Sequence, residues 1–123
     1  MSINKSLNYL KSRQSISILH FSDAVTTSSK YLKGAGGVAA DGFAMPYGGI
    51  IRKIQVYDGS TLYQAAGEVE FSADDRLSVY ANYTGSNFTV YVRKNAVNTI
   101  VLVTGIPTSV NLTVSVTCKV TES

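Results

Sequence analysis

The side chains in this chain that could do chemistry are few and lie far apart in the sequence. His20 and Cys118 are its only histidine and its only cysteine, and no Gly-x-Ser-x-Gly nucleophile motif is present. A zinc site needs about four ligands of these types, and a single histidine cannot supply a metal cluster of histidine and glutamate. The sequence therefore predicts no metal, no cofactor and no catalytic centre built on a histidine or a cysteine.

Two acidic clusters could also do chemistry, because paired carboxylates serve in acid–base catalysis and in calcium sites. Asp74 and Asp75 stand at a predicted turn, where aspartate caps backbone N–H groups. Glu68 and Glu70 alternate along a predicted strand, which places both on one outward face. The structural interpretation is favoured for both clusters, and we predict that the protein is not an enzyme.

The eight tyrosines are more informative. An exposed tyrosine supplies rigid contact area with a polar tip, so it suits subunit interfaces and ligand sites alike. Tyr80 and Tyr91 alternate with valines on the predicted wet face of their strands, and we predict them at a subunit interface. Tyr47, Tyr57 and Tyr63 lie in or beside predicted turns, where ligand contact is the open alternative.

Strands must position these side chains, since alternation of apolar and polar residues dominates the sequence. It is clearest at 111–120, where Cys118 falls on the apolar face as a small packing residue. A period of two is typical of a strand with one dry and one wet face. Strands at regular spacing with turns between them predict an all-β sandwich or barrel. The predicted strands are 15–21, 43–45, 49–57, 67–71, 76–83, 87–93, 98–103 and 111–120.

Two of these strands carry apolar residues on both faces. In the first, Ile16 and Ile18 mark one face, and Leu19 and Phe21 mark the other. In the strand 98–103, an unbroken apolar run predicts burial on both sides. We expect one face to meet the core and the other a neighbouring subunit. The predicted interface residues are Leu19, Phe21, Tyr80, Tyr91, Ile100 and Leu102.

Length and charge limit the organisation and the partners. A chain of 123 residues fits one domain, with 1–14 as a flexible or short helical arm and 15–123 as the β-sandwich domain. A net charge of +3 without a basic stripe predicts no nucleic acid partner. The N-terminus lacks the apolar core of a signal peptide, and no apolar run is long enough to span a bilayer. Synthesis in a cytoplasm and no membrane insertion are therefore expected.

Three segments together resemble a known family. They are Asp41-Gly42-Phe43-Ala44-Met45-Pro46-Tyr47-Gly48-Gly49-Ile50-Ile51, Phe71-Ser72-Ala73-Asp74-Asp75-Arg76-Leu77-Ser78-Val79-Tyr80 and Thr89-Val90-Tyr91-Val92-Arg93-Lys94-Asn95. They resemble jelly-roll modules of fibre and virion proteins of tailed bacteriophages, over roughly residues 41–120. The arrangement is also similar to the C1q and tumour-necrosis-factor group. The family often has glycine where this chain has Asp74 or Asp75.

The resemblance implies an antiparallel jelly-roll β-sandwich of about eight to ten strands, assembled as a homotrimer. It implies a non-enzymatic virion protein, either a fibre or a head decoration, that contacts other virion proteins or a host-surface glycan. No binding residue carries over from the family. A carbohydrate-binding module and a C1q-like or tumour-necrosis-factor-like ligand are the alternatives. The absence of tryptophan counts against the first alternative, and the lack of a cysteine pair counts against the second.

Overall fold

The computed structural model describes residues 14–34 and 42–121, and within these ranges the chain forms ten strands and no helix. The predicted N-terminal arm lies outside the described residues except for Gln14, which begins the first strand. The strands are β1 (Gln14–Val25), β2 (Lys30–Tyr31), β3 (Lys33–Gly34), β4 (Phe43–Ala44), β5 (Gly49–Tyr57), β6 (Leu62–Phe71), β7 (Arg76–Tyr83), β8 (Phe88–Lys94), β9 (Val97–Ile106) and β10 (Val110–Thr121).

The strands form two antiparallel sheets that pack against each other, which confirms the predicted β-sandwich. The first sheet has the order β3-β1-β10-β5-β6, and the second has the order β2-β7-β8-β9 with β4 also paired to β7. Hairpins join β5 to β6 within the first sheet, and join β7, β8 and β9 in order within the second sheet. The last strand lies between β1 and β5, so it ties the two ends of the described chain together.

The core lies between the sheets, where each strand places every second residue. On β10 the alternation is complete, and Cys118 is fully buried with the other apolar residues of that face. This confirms the sequence interpretation of 111–120, because the opposite face carries hydroxyl, amide and ammonium groups. The fully buried aliphatic and aromatic side chains with the largest volumes include Leu32, Ile51, Ile54, Leu77, Phe88, Ile106 and Leu112.

Within the single chain the predicted strand 98–103 is buried on one face only, and burial of its other face by a neighbouring subunit stays a prediction. Val101 and Val103 point into the core, but Ile100 is 71% exposed. The reason lies in the position of β9, which is the edge strand of the second sheet and has one face toward the core and one outward. Side chains of 100–103 therefore alternate between the outer face and the core, and the run is unbroken in the sequence because the outward residues are apolar as well.

The two interface candidates of β1, Leu19 and Phe21, lie on the face of the strand that packs against the core. Phe21 is only 5% exposed and Leu19 packs against the core, so both point inward. The exposed apolar side chains of β1 are Ile16 and Ile18, on the outer face of the first sheet. Any contact that this strand makes with another subunit therefore involves Ile16 and Ile18, because the inward face is already occupied.

Backbone conformations with positive φ mark two turns that glycine would fit. Asp74 has φ 72°, at a position where the resembled family often carries glycine, and it bonds through its backbone to Met45. In the two-residue hairpin between β8 and β9, Asn95 has φ 52° and Ala96 has φ 64°. Asparagine tolerates the left-handed region, but an alanine there is strained because of its Cβ atom.

Replacing Ala96 with glycine is expected to stabilise the protein. The change removes the left-handed strain, which is about 1 kcal/mol for one residue, and gives the Asn-Gly sequence that such hairpins prefer. Urea unfolding measures the effect. The matched control is Ala66→Gly in β6, where the backbone is extended and glycine should destabilise. Equal destabilisation by both variants would contradict the strain at residue 96.

Candidate functional site

Four side chains form a continuous row across the outer face of the second sheet. Tyr31 pairs with Tyr80, Tyr80 pairs with Tyr91, and Tyr91 pairs with Leu102. Residues paired across antiparallel strands project to the same face, and the neighbouring Val79 lies in the core. The row, which we name the aromatic row, thus spans β2, β7, β8 and β9 and is half-buried along its length.

Arg93 lies over this row and is held in place from three sides. Its guanidinium carbon is 3.8 Å from the ring centroid of Tyr80 and 5.3 Å from that of Tyr31. Its Nη1 donates to the hydroxyl of Tyr31 at 2.6 Å, and its Nε donates to Oδ1 of Asn98 at 2.7 Å. Stacking on tyrosine is favourable for a cation, so the guanidinium has one preferred orientation.

The hydrogen bonds of Arg93 leave part of its donor capacity unused. A guanidinium carries five N–H donors, and two of them are bonded, to Tyr31 and Asn98. The other three make no hydrogen bond to any described residue. A half-buried arginine with free donors in a fixed plane is suited to binding a carboxylate from outside the chain.

The charge of this outer face has one sign within the described residues. Arg76 shares the face because it lies two positions from Ser78, the residue paired with Arg93. The outward positions of β7, β8 and β9 carry tyrosine, asparagine, serine, threonine and aliphatic residues but no carboxylate. Tyrosine and arginine around aliphatic side chains are typical of the centre of a protein interface.

The structure brings four of the six predicted interface residues together. Tyr80, Tyr91 and Leu102 are in the aromatic row, and Ile100 is the next outward residue of β9 after Leu102. Leu19 and Phe21 do not join them because they face the core. Sequence reasoning missed Tyr31 and Arg93. Arg93 could have been found, since it follows Tyr91 by two residues in the same alternation.

The three tyrosines suggested for ligand contact do not form one site. Tyr63 was expected in a loop, but it lies in β6, faces the interior and donates its hydroxyl to Asp58 at 3.3 Å. Tyr57 is exposed and donates to the carbonyl of Gly59 at 2.9 Å. Tyr47 is exposed at the opposite end of β5. Their hydroxyls serve local turns or stand apart, so they do not converge on a ligand.

The turn between β5 and β6 depends on one carboxylate. Asp58 accepts hydrogen bonds from the backbone N–H of Thr61 at 2.7 Å and of Ser60 at 2.9 Å. These bonds, with that of Thr61 the stronger, lower the pKa of Asp58 below its usual value. Because the folded state favours the ionised form, this stabilisation is present at neutral pH and is lost as the pH falls through the folded-state pKa.

The described groups that could do acid–base or nucleophilic chemistry meet as a pair but form no triad. The closest pair is Ser115 and His20, whose Oγ and Nδ1 atoms are 3.3 Å apart on the outer face of the first sheet. A catalytic base also needs a third group to orient it, and no described carboxylate bonds to His20. The described residues contain no group of three or more possible metal ligands. Asp75 accepts from the backbone N–H of Ser72 and from Asn95, as expected for a turn.

Cys118 is expected to be unreactive in the folded protein. It is fully buried, and burial raises the pKa of its thiol to about 11, so the thiolate needed for reaction is scarce. Added to the native protein near neutral pH, a thiol-specific disulfide reagent should give almost no signal, and one thiol per chain should appear in denaturant. Fast reaction of the native protein would contradict this packing.

The fold and the site define a β-sandwich with an outward aromatic row crossed by an arginine. No family model, curated protein or solved structure matches the chain in comparisons with known proteins. Across residues 14–34 and 42–121 there is no helix long and apolar enough to cross a membrane.

Proposed function

We propose that this protein is a non-enzymatic structural or attachment protein that works as a homotrimer, of the kind found in the particles of tailed bacteriophages. The observation that carries the proposal is the aromatic row with Arg93 and Ile100 on one outer sheet face. Tyrosine and arginine are enriched among the residues that dominate binding at protein interfaces, and exposed Ile100 adds apolar area beside them. The assignment to a virus particle and the three-fold assembly come from the sequence resemblance to phage jelly-roll modules.

The geometry of the row favours a protein partner over a sugar. A carbohydrate-binding face commonly offers flat aromatic rings to the sugar. Here the rings of Tyr31 and Tyr80 are inclined by 64° with their centroids 4.9 Å apart, and the guanidinium of Arg93 covers the ring of Tyr80. A row of this shape has interlocking side chains and little free ring surface, which suits packing against another protein.

The proposal is tested by placing a charge in the aromatic row. Tyr91→Glu puts a carboxylate at the centre of the row, and we expect the trimer to dissociate into monomers. The matched control is Thr113→Glu, which adds the same charge to an exposed outward position of the first sheet, where β10 pairs with Tyr57 at the end of β5. Light scattering after gel filtration gives the mass, and circular dichroism confirms the fold. A trimer that survives Tyr91→Glu would contradict the assignment of the interface to this face.

A further inference from the structure

We propose that the outer face of the second sheet binds the outer side of β6 from another copy of this chain, with Glu68 and Glu70 of that copy against Arg93 and Arg76. This inference rests on the proposed trimer and names its contact. The charges of the two surfaces are opposite. The outer face of the second sheet, which we name the arginine face after Arg76 and Arg93, has no carboxylate on its outward positions. The outward positions of β6 carry two carboxylates, those of Glu68 and Glu70.

The outer side of β6 is available for such a contact. This strand is the edge of the first sheet, and Glu68 and Glu70 are both exposed on its outer face. Among the described residues Glu68 makes one ion pair, which is long, with 3.7 Å between its Oε1 and Nη2 of Arg52, and the Glu68 side chain is 71% exposed. The Glu70 carboxylate has no ion pair with any described residue.

The spacing of the charges is similar on the two surfaces. Arg93 pairs with Ser78, so Arg76 lies one outward step further along β7. Arg93 and Arg76 are therefore diagonal neighbours on adjacent strands, roughly 7–8 Å apart, and Glu68 and Glu70 are two residues apart on one strand, or roughly 6.6 Å. If Glu70 meets Arg76, then Glu68 meets Arg93 with its free N–H groups.

The next position along both surfaces also fits. Beyond Glu68 the next outward residue of β6 is Ala66, which is exposed and small. Beyond Arg93 the next outward residues are Tyr80 and Tyr91 of the aromatic row. The small side chain of Ala66 therefore meets the bulky tyrosines, so the two glutamate–arginine ion pairs can form without a steric clash.

The positions of the two surfaces explain why a ring would form. Each lies on a different sheet, so one copy can use both at once, and the contact runs head to tail. A head-to-tail contact that closes on itself generates a ring, whereas a two-fold contact would bring the same surface together twice. Two arginine faces would then repel each other, so a two-fold dimer through this face is disfavoured.

A charge exchange tests the contact. Arg93→Glu and Glu68→Arg, made singly, should each weaken association by about 30-fold or more, because each leaves like charges facing one another. The double variant should recover the wild-type mass, since the exchanged charges again attract. Arg52→Glu is the control for the weak internal pair of Glu68, and it should leave the assembly intact. Arg76→Glu with Glu70→Arg is a second exchange, for use if Arg93→Glu fails to fold.

Sedimentation equilibrium distinguishes the outcomes. A wild-type monomer would overturn both the trimer and this contact. A wild-type trimer that both single variants leave intact would overturn the contact alone. Single variants that dissociate, with no recovery in either exchanged pair, would also overturn it, because another partner would then occupy the arginine face.

Discussion

Replacing Gly49 with alanine is expected to cost about 3 kcal/mol or more of the free energy of unfolding, enough to unfold a large fraction of an ordinary domain. Gly49 begins β5 and lies against the last strand. An added Cβ atom would overlap the carbonyl oxygen of Lys119 and stand 3.0 Å from Cα of Val120 and 2.9 Å from the ring of Phe71. Two of these three neighbours are backbone atoms of a paired strand, so they cannot move without opening the sheet.

The matched control is Gly67→Ala in β6. There the added Cβ atom would approach a methyl group of Val101 at 3.0 Å, with Ile100 side-chain atoms at 3.9 Å. Only side chains must yield, so a change within about 1 kcal/mol of wild type is expected. Urea unfolding followed by circular dichroism compares the two variants. Equal stability of both variants would contradict the close approach of β5 and β10 at Gly49.

Replacing Phe88 with alanine is expected to cost about 3–5 kcal/mol. Phe88 is fully buried, and its ring lies 5.5 Å from that of Tyr83, centroid to centroid. Removing it leaves a cavity between the sheets that their backbones cannot close, because each is fixed by its hydrogen-bonded neighbours. The loss in the free energy of unfolding has two parts, the lost burial of the ring and the lost packing contacts of the residues around the cavity.

Phe43→Ala is the control for this prediction, since it makes the same chemical change at a side chain that is 41% exposed. Phe43 lies in the two-residue strand β4, where water can replace the ring without leaving a cavity. We expect a loss of no more than about 1 kcal/mol there. Thermal unfolding of both variants measures the difference, and similar melting temperatures would contradict the placement of Phe88 in the core.

Much of the fold could be predicted because local signals and packing agree. The predicted bounds of β5 and β7 are the observed ones, Gly49–Tyr57 and Arg76–Tyr83. β7 alternates strictly, β5 alternates from Ile54 onward after a bulge between Ile51 and Lys53, and a turn with glycine or aspartate adjoins each of them. Where alternation of valine and leucine with polar residues is this regular, few other structures can bury the apolar face.

The first half of β6 could not be predicted for a physical reason. The sequence predicts a strand only at 67–71, because Ala65 and Ala66 have little preference for extended structure. In the structure, pairing to β5 extends the strand back to Leu62. The hydrogen bonds come from the neighbouring strand, so the local sequence does not reveal them, and the same oversight placed Tyr63 in a loop.

The candidate site was predicted in part. Tyr80 and Tyr91 were assigned to the outward face from alternation alone, and that assignment is correct. Their juxtaposition with Tyr31 depends on β2, a strand of two residues whose pairing to β7 is a tertiary event. The inward direction of Phe21 depends on which side of β1 the second sheet covers, and alternation gives two faces without saying which is the core.

The central claim is that copies of this chain associate through the aromatic row and Arg93 into a trimer. Sedimentation equilibrium of the wild-type protein over a range of micromolar concentrations tests it most directly. We predict a single species with three times the 13.2 kDa mass of one chain. A monomer throughout that range would contradict the claim, and so would a dimer, because two copies of the arginine face would repel each other.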